Sequence, residues 1–257
     1  MSELMDLVQV AKEAGAIMKN AVHMWESVHE KSGHANFATD YDERIQTFLF
    51  ERLAQLEPEA FFLGEEDGHE VFLPEYKKGL VFVVDPIDGT SNFLVGYRPS
   101  VVSIGLLKDG RPYRAVVYNP YFDMCFWAEA GKGAFLNGKP VHSSKNSLAD
   151  SLIVFGTSPY YPDCKEETFR LAAEYLDRCI DLRRSGSAEW DLCSVAAGWA
   201  GMFFELRVSL WDYAAGALIV EEAGGKVTDL EGKSLTFEGK SSMLAVSEGV
   251  AREEYMP

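Results

Sequence analysis

The chain has 257 residues, of which 47% are apolar and 12% aromatic, and its 24 basic and 40 acidic side chains give a formal net charge of −16 at pH 7. This apolar share excludes an intrinsically disordered chain, and a chain of this length can bury a core that needs no disulfide to hold it. The negative charge repels phosphate backbones and anionic lipid, so we expect no nucleic-acid partner and no membrane partner.

Two further features concern the cellular compartment. No apolar run approaches the roughly 20 residues that a membrane-spanning helix needs, and residues 1–6 lack the basic-then-apolar order of a signal peptide. The four cysteines form no CxxC pair and are typical of reduced thiols: Cys125, Cys164, Cys179 and Cys193. We therefore expect a cytoplasmic globular protein.

The first half of the chain predicts helices followed by a sheet. Residues 4–30 and 40–56 carry apolar side chains at helical spacing, and residues 60–63 and 80–84 are apolar runs typical of buried strands. From residue 100 to about residue 141 the pattern predicts a β-meander with strands at 101–108, 113–118 and 125–129. Asp109-Gly110 and Asn137-Gly138 are turn dipeptides within this meander.

The second half predicts alternating strands and helices. The strands are expected at residues 152–155, 180–183, 201–206, 226–229 and 243–246, and the helices at 166–179, 188–200 and 212–223. We predict one α/β (α+β) unit over residues 1–257, with alternating layers of helix and sheet. An N-terminal α+β half covers about residues 1–145, and a C-terminal α/β half covers about residues 146–257.

Acidic residues follow both of the early strands. Glu65 comes after the first, and Asp85 and Asp88 come after the second, within Asp85-Pro-Ile-Asp-Gly. Strand ends at a sheet edge are where such folds place chemistry, and two carboxylates this close repel each other unless a cation lies between them. No histidine or cysteine is near, so a hard divalent cation fits better than zinc. A plain tight turn is the alternative, because Asp-Pro and Asp-Gly are both turn dipeptides.

Two other chemistries can be tested by spacing. An EF-hand loop starting at Asp85 needs glycine at its sixth position and glutamate at its twelfth, but Thr90 and Gly96 stand there. A phosphatase that forms an aspartyl-phosphate needs an acid partner two residues after its nucleophile, whereas Asp88 follows Asp85 by three. The EF-hand is excluded, and covalent catalysis is disfavoured but stays open.

The segment Asp85-Pro-Ile-Asp-Gly-Thr-Ser-Asn-Phe resembles the signature of the inositol monophosphatase family. Trp211-Asp-Tyr-Ala-Ala-Gly-Ala, followed by Glu222-Ala-Gly-Gly, resembles its C-terminal motif. Shorter matches stand in the family's order at residues 36–42, 64–66, 102–105 and 131–138, so that the resemblance runs from about Lys31 to Val246. It implies a layered αβαβα sandwich of the sugar-phosphatase type, with mixed sheets between helix layers.

The resemblance also implies a Mg²⁺-dependent, lithium-sensitive phosphomonoesterase. Glu65, Asp85 and the Ile87 carbonyl would hold one Mg²⁺, and Asp85, Asp88 and Asp212 a second. Two such ions clamp the attacking and leaving oxygens of an in-line phosphoryl displacement. Asp212 also has a simpler structural interpretation, as the N-cap of the apolar helix that follows it.

By the same resemblance, Thr90, Asp42 and Glu65 are the catalytic residues, with Asp42 orienting the Thr90 hydroxyl toward an attacking water. The Gly89 and Thr90 amides and Lys31 would contact the phosphate. Asp42 is also the N3 residue of a capping box that begins at Thr39, and this structural role is compatible with the catalytic one.

The substrate implied is myo-inositol monophosphate or a related sugar or polyol phosphate, hydrolysed by direct attack of a metal-activated water. Gly186, Ser187, Ala188 and Glu205 would contact the polyol together with Asp88 and Asp212. The alternatives are a fructose-1,6-bisphosphatase, a 3′(2′),5′-bisphosphate nucleotidase, a histidinol-phosphatase and a non-catalytic regulatory protein. Homodimers are the family habit, and the partner expected otherwise is a small-molecule phosphate ester.

The chain departs from the family pattern beside the expected polyol pocket. Glu189 and Trp190 stand where small or aliphatic residues are usual, and Arg207 replaces a more usual glycine. Ser209-Leu210 replaces Lys-Pro, and Asn36 stands where many members have aspartate. Bulk and charge at these positions leave the preference for inositol over other sugar phosphates open.

Overall fold

In residues 2–30, 37–67 and 72–255, which the computed structural model describes, the chain forms seven α-helices and fourteen strands. The helices are α1 (Ser2–Lys19), α2 (Asp40–Leu56), α3 (Thr90–Val95), α4 (Lys165–Leu176), α5 (Ala188–Ala196), α6 (Ala214–Glu222) and α7 (Arg252–Tyr255). The strands are β1 (Val28–Glu30), β2 (Phe37–Thr39), β3 (Phe61–Gly64), β4 (Leu80–Asp88), β5 (Val101–Lys108), β6 (Arg111–Asn119), β7 (Met124–Glu129), β8 (Ala134–Leu136), β9 (Lys139–Val141), β10 (Leu152–Phe155), β11 (Asp181–Arg183), β12 (Met202–Val208), β13 (Lys226–Thr228) and β14 (Ser241–Val246).

The larger sheet has seven strands in the order β3-β4-β5-β6-β7-β8-β9. Strand β3 runs parallel to β4, and every other neighbouring pair is antiparallel. Positive φ angles at Asp109 (51°), Gly110 (75°), Asn137 (49°) and Gly138 (81°) match the two-residue turns that suit tight hairpins. The predicted β-meander and its two turns are confirmed.

The smaller sheet has five strands in the order β11-β10-β12-β14-β13. Strand β10 is parallel to β11 and β12, whereas β14 is antiparallel to β12 and β13. Both sheets are therefore mixed. The short pair β1 and β2 forms a separate antiparallel ribbon.

Alternate side chains of the central strands divide the core into layers. On β4, Phe82 and Val84 pack with α1 and α2, while Val81 and Val83 face α5 and α6. On β12, Phe203 faces the same inner helices and Phe204 packs on the far side against α4 and α7. The order is α1/α2, large sheet, α5/α6, small sheet, α4/α7, which confirms the layered αβαβα sandwich.

Several predicted helices are too long. The helix expected over residues 4–30 ends at Lys19, because His23 has a left-handed backbone (φ 56°) and residues 28–30 pair with β2 instead. Val22 and Trp25, part of the apolar stripe that extended the prediction, are 63% and 61% exposed. Helix α5 ends at Ala196 rather than residue 200, just before Gly198 with φ 73°.

A bulge in β4 shapes the region around the predicted acidic residues. Strand β4 was predicted to end at residue 84 but runs to Asp88, with a shift of register between Asp85 and Asp88. Such a bulge accommodates Pro86, which has no amide hydrogen to give to a ladder. Among the described residues, no helix combines the length and apolar composition that crossing a bilayer requires.

Candidate active site

A cleft of about 620 Å³ is lined by residues of β4, β12, the first turns of α3 and α5, and the 3₁₀ turn that precedes α6. The predicted site residues that line it are Glu65, Asp85, Ile87, Asp88, Gly89, Thr90, Gly186, Ser187, Ala188, Glu205 and Asp212. They come from five separate parts of the chain and face one common space. Lys31 and Asn36 lie outside the described residues.

Asp85 lies at the bottom of the cleft and is 2% exposed. Its Oδ1 accepts a hydrogen bond from the Ile87 amide at 3.0 Å, which closes the bulged turn around Pro86. Burial raises the pKa of Asp85 well above its usual value, and the carboxylates of Glu65 and Asp88 raise it further. The local arrangement therefore favours a positive charge beside Asp85.

Asp88 is held by the first turn of α5. Its Oδ2 accepts hydrogen bonds from the Ser187 hydroxyl and the Glu189 amide, both at 2.7 Å, and its Oδ1 accepts from the Ala188 amide at 3.3 Å. Burial raises the pKa of Asp88 to about 6, although these hydrogen bonds oppose the shift. Free amides at a helix N-terminus attract a carboxylate, so this position is rigid.

Thr90 and Asp42 form a buried pair that joins α3 to α2. The Thr90 hydroxyl lies 3.1 Å from Asp42 Oδ1 and 3.1 Å from the Ile87 carbonyl, two acceptors for its one proton. Asp42 Oδ2 accepts from the amide and hydroxyl of Thr39, at 2.7 and 2.6 Å. The predicted capping box is present, and the same carboxylate reaches Thr90 with its other oxygen.

Glu65 begins a single 3₁₀ turn after β3, and Gln46 of α2 braces that turn. The Gln46 Oε1 accepts from the Glu66 amide at 2.9 Å, and its Nε2 donates to Asp67 at 2.8 Å. A side chain at Gly64 would place its Cβ 2.2 Å from the Gln46 Oε1, so glycine leaves room for the brace. Sequence reasoning missed Gln46, which has no motif of its own.

Asp212 closes the cleft on the side of the small sheet. It was predicted as an N-cap, but it is the last residue of a 3₁₀ turn that Ser209 caps, and α6 begins two residues later. Its Oδ2 accepts from the Ser209 amide at 2.7 Å. Burial raises the pKa of Asp212 well above its usual value, and Asp88 and Glu65 add to the shift.

The donor chemistry of this cleft suits a hard divalent cation. The candidate ligands are all oxygens, from the carboxylates of Glu65, Asp85, Asp88 and Asp212 and from the Ile87 carbonyl. Within the described ranges, no three acidic, histidine or cysteine side chains already converge tightly enough to hold a metal ion. Mg²⁺ needs no such cage, because it uses one or two carboxylates, keeps several waters and shares substrate oxygens. The residues present therefore fit Mg²⁺.

Glycines shape the turn before α3. Gly89 has φ 89° and is the residue before the helix, and an added Cβ would lie 3.2 Å from the carbonyls of Gly186 and Pro99. The Asn92 side chain donates to the Ser185 carbonyl at 2.9 Å and joins this turn to the start of α5. The predicted phosphate-contacting amides thus lie beside the predicted polyol-contacting residues.

Glu205 lies at the far side of the cleft, on β12. Its Oε1 accepts from the Ser158 amide at 2.7 Å and lies 3.3 Å from the Ser158 hydroxyl oxygen. Burial raises the pKa of Glu205 to about 7. A Cβ on Gly156 would lie 1.8 Å from the Glu205 carboxylate, so residue 156 must be glycine for the Glu205 side chain to occupy this position.

Two of the departures from the family pattern do not reach the cleft. Glu189 is fully buried and faces away from it: Oε2 accepts from the Gly216 amide at 2.6 Å, and Oε1 accepts from the Ser103 hydroxyl and the Ala215 amide at 3.0 and 3.2 Å. Trp190 packs against Phe122, Phe126 and Trp199. The expectation that these two side chains add bulk and charge near the pocket is wrong.

Other cleft residues were not predicted. Tyr160 lines the cleft, and burial together with the nearby carboxylates of Glu65 and Asp212 raises its pKa. Arg184, Arg207 and Lys240 line the same cleft at its outer rim. Of these residues only Arg207 gave a signal in the sequence, as a departure from the family pattern.

Comparisons with known proteins identify the family of the chain. The model of the inositol monophosphatase family matches residues 1–256. Inositol monophosphatase 3 of Solanum lycopersicum is 38% identical over 229 residues, 88% of this chain and 85% of that protein. The Nus factor SuhB of Xylella fastidiosa is 34% identical over 228 residues, 88% of this chain and 81% of that protein.

Among solved structures, the IMPase of Thermotoga maritima has a TM-score of 0.87 at 29% identity and covers 99% of this chain and 95% of its own. The chain belongs to the inositol monophosphatase family. Membership supports a phosphatase and leaves its substrate unspecified, since relatives named as inositol monophosphatases and as a Nus factor are similar to it.

Proposed function

We propose that this protein is a Mg²⁺-dependent phosphomonoesterase that hydrolyses myo-inositol monophosphate or a related sugar or polyol phosphate. The observation that carries the proposal is that four carboxylates and Thr90 line one cleft, and that the Thr90 hydroxyl is hydrogen-bonded to the buried Asp42 behind it. Glu65, Asp85 and the Ile87 carbonyl would hold one Mg²⁺, and Asp85, Asp88 and Asp212 a second. When bound, the ions supply positive charge that lets a phosphate dianion enter an acidic cleft and stabilises charge on its oxygens.

The protein's own groups position the reactants and move a proton. Asp42 Oδ1 can take the proton of the Thr90 hydroxyl at 3.1 Å, which leaves the Thr90 oxygen able to accept a proton from an attacking water. The Thr39 bonds to Asp42 Oδ2 hold the carboxylate in place during this transfer. The Gly89 and Thr90 amides would contact phosphate oxygens as a backbone nest does.

Hydrogen bonding supports water rather than an aspartate as the nucleophile. Both oxygens of Asp88 already accept hydrogen bonds from the start of α5, and Asp85 Oδ1 accepts from Ile87. A carboxylate oxygen that accepts strong hydrogen bonds is a weaker nucleophile, since its lone pairs are engaged. The stereochemical course at phosphorus tests this step: hydrolysis of an ester with an isotopically chiral phosphate is expected to invert the configuration, since one in-line displacement occurs, and retention would support two displacements through an aspartyl-phosphate.

Glu205 supports a polyol as the alcohol part of the substrate. Its carboxylate lies on the far side of the cleft and can accept hydroxyl hydrogens, while Ser158 holds its other lone pairs. The test is phosphate release from a panel of esters with and without Mg²⁺. We expect the highest kcat/KM with a polyol phosphate, with full dependence on Mg²⁺. Faster turnover of a nucleoside bisphosphate or of histidinol phosphate would contradict this substrate class.

A regulatory role is the second candidate, because the Xylella relative is named as a Nus factor. The buried carboxylate set argues for chemistry, since its burial costs stability that a purely structural protein has no need to carry. Phosphate release by the wild-type protein and by Asp88→Asn separates the phosphatase function from the regulatory role. If the protein is a phosphatase, the wild type releases phosphate and Asp88→Asn does not. A wild-type protein that hydrolyses no ester would favour the regulatory role.

A further inference from the structure

The outer rim of the cleft carries positive charge on a protein whose net charge is −16. Arg184, Arg207 and Lys240 line the cleft, where Arg184 and Lys240 are exposed and Arg207 is half-buried. Arg207 and Lys240 converge on one aromatic ring, since the guanidinium carbon lies 4.7 Å and the ammonium nitrogen 5.0 Å from the centroid of Tyr161. A shared aromatic platform holds two cations side by side, where like charges would otherwise repel.

This rim is a built structure rather than a chance set of surface side chains. Ser158 is 2% exposed and has a left-handed backbone with φ 41°, a strained conformation for a residue other than glycine. Its hydroxyl donates to the Arg207 carbonyl at 3.0 Å and accepts from the Arg207 amide at 3.0 Å. The same Ser158 donates to Glu205, so one residue fixes both the polyol-facing carboxylate and the backbone of Arg207.

Arg207 and Glu205 lie at different depths in the cleft. The two residues are separated on β12 by Leu206, which packs into the outer core against Phe204 and Leu244. Strand β12 is irregular between Glu205 and Val208, and both Glu205 and Arg207 line the cleft. Glu205 is 8% exposed and the Arg207 side chain 38%, so Arg207 lies nearer the opening. An alcohol held at Glu205 thus has its distal end next to Arg207.

Arg207 is paired with Asp163, at 2.9 Å, but the two side chains are 38% and 65% exposed. An exposed pair of this kind contributes little, and a phosphate dianion offers a guanidinium more charge and more acceptor oxygens than a single carboxylate does. Both terminal nitrogens of Arg207 donate to Asp163, at 3.3 and 2.9 Å, so a phosphate would compete with Asp163 for this fork or use the remaining N–H groups of the guanidinium.

We propose that Arg207, Lys240 and Tyr161 form a subsite for a second phosphate on the alcohol part of the substrate, so that the protein prefers bisphosphorylated sugars or polyols over their monophosphates. The inference rests on the proposed phosphatase function and names the substrate class of that site. Arg184, whose Nε donates to Thr157 at 3.1 Å, lies on the same rim and adds to its positive charge.

Matched substrate pairs test the subsite. The kcat/KM is measured for inositol 1-phosphate against inositol 1,4-bisphosphate and for fructose 1-phosphate against fructose 1,6-bisphosphate, with Mg²⁺ present. We expect the bisphosphate of at least one pair to be preferred by about tenfold, the size of one charge-assisted contact. Arg207→Ala and Lys240→Ala are each expected to raise KM for that bisphosphate by roughly five- to tenfold and to change monophosphate turnover less than about twofold.

Two further variants fix the sign of the effect. Asp163→Asn frees Arg207 from its partner and is expected to lower KM for the preferred bisphosphate. Arg170→Ala, which removes one positive charge from the exposed face of α4, serves as the control and is expected to leave both substrates unchanged. Equal turnover of both members of each pair, or equal loss for both in Arg207→Ala, would overturn the subsite.

Failure of the subsite is distinguishable from failure of the proposed function. If no ester is hydrolysed, the phosphatase function fails, and calorimetric binding of the same four compounds to the wild-type protein and to Arg207→Ala then decides the subsite alone. A bisphosphate that binds more tightly than its monophosphate, by a margin that Arg207→Ala removes, supports it. Equal affinities overturn it.

Discussion

A hydrogen bond between Glu189 and Gly216 joins α5, whose first turn holds Asp88, to α6, which begins just after Asp212. The Glu189 Oε2 accepts from the Gly216 amide in the first turn of α6 at 2.6 Å, while the Glu189 amide donates to Asp88 at 2.7 Å. One residue therefore connects the support of Asp88 to the helix that follows Asp212. The first-turn amides of α6 have no acceptor within the helix, and the buried Glu189 carboxylate accepts from them in place of water or an N-cap side chain.

Glu189→Gln tests this connection through stability. Glutamine keeps the shape but presents an NH₂ group toward the Gly216 amide or the Ala215 amide, so that a buried donor loses its acceptor. We expect the free energy of unfolding to fall by about 1–3 kcal/mol. Denaturant titration measures it, with the exposed Glu166→Gln on α4 as the matched control. A loss no greater than that of the control would show that the Glu189 hydrogen bonds do not stabilise the fold.

Thr90→Val and Asp42→Asn test the proton-accepting pair. Each change removes one partner of the Thr90–Asp42 hydrogen bond, and we expect kcat to fall by roughly 10²- to 10⁴-fold, the usual contribution of general acid–base groups. Because the two act together, the double variant should lose little more than either single one. The exposed Thr47→Val on α2 is the control. Losses that simply multiply in the double variant would contradict a joint role.

The buried carboxylates predict an unusual pH dependence for the metal-free protein. Burial raises the pKa of Asp88 from 3.8 to about 6 and that of Glu205 from 4.5 to about 7. At a pH between the ordinary and the raised pKa of each carboxyl group, the folded state binds more protons than the unfolded state. The stability that these protons contribute is therefore complete at low pH and is lost as the pH rises through the raised pKa values. We expect the free energy of unfolding in a chelator to decrease between about pH 4 and pH 7.

Denaturant midpoints measured across this range check the sign. Glu205→Gln has no proton to release in this range, so the free energy of unfolding of this variant should decrease less between about pH 5 and pH 7 than that of the wild type. Added Mg²⁺ should restore stability most at the high-pH end, where the carboxylates are ionised. A stability that rises across the range in the metal-free protein would contradict the buried, raised carboxylates.

Gln46→Leu tests the brace under the turn that carries Glu65. The change removes the acceptor of the Glu66 amide and the donor to Asp67, at 2.9 and 2.8 Å. We expect several-fold weaker Mg²⁺ activation with little change of kcat at saturating Mg²⁺, since supporting residues of a metal site tune affinity. Titration of activity with Mg²⁺ measures it, and Gln55→Leu on the exposed face of α2 is the control. An unchanged Mg²⁺ response would show that the turn holds its shape without Gln46.

The sequence predicts those parts of the site that depend on neighbouring residues. The Thr39–Asp42 capping box follows from spacing alone, and the structure contains it. The contact of Asp42 with Thr90 spans 48 positions and depends on how α2 packs on the large sheet, which local patterns do not encode. It was predicted only through the resemblance.

Other features left no readable signal. Glu189 looks like a pocket residue in the sequence because it follows Ala188, yet the helical turn of α5 directs it toward α6. The left-handed Ser158 and the space that Gly156 leaves for Glu205 are tertiary constraints on ordinary residue types. The helix predicted to residue 30 failed for the opposite reason, since its apolar stripe continues after the backbone has turned at His23.

The most direct test of Mg²⁺-dependent hydrolysis in this cleft is phosphate release from inositol 1-phosphate by the wild-type protein and by Asp85→Asn, each with Mg²⁺ and with a chelator. We expect the chelator to abolish turnover and excess Mg²⁺ to restore it. In Asp85→Asn we expect turnover to fall by at least about 10³-fold, because a ligand shared by both ions is weakened. Thermal unfolding of both proteins shows that each is folded. Undiminished turnover in the chelator, or an Asp85→Asn protein as active as the wild type, would contradict it.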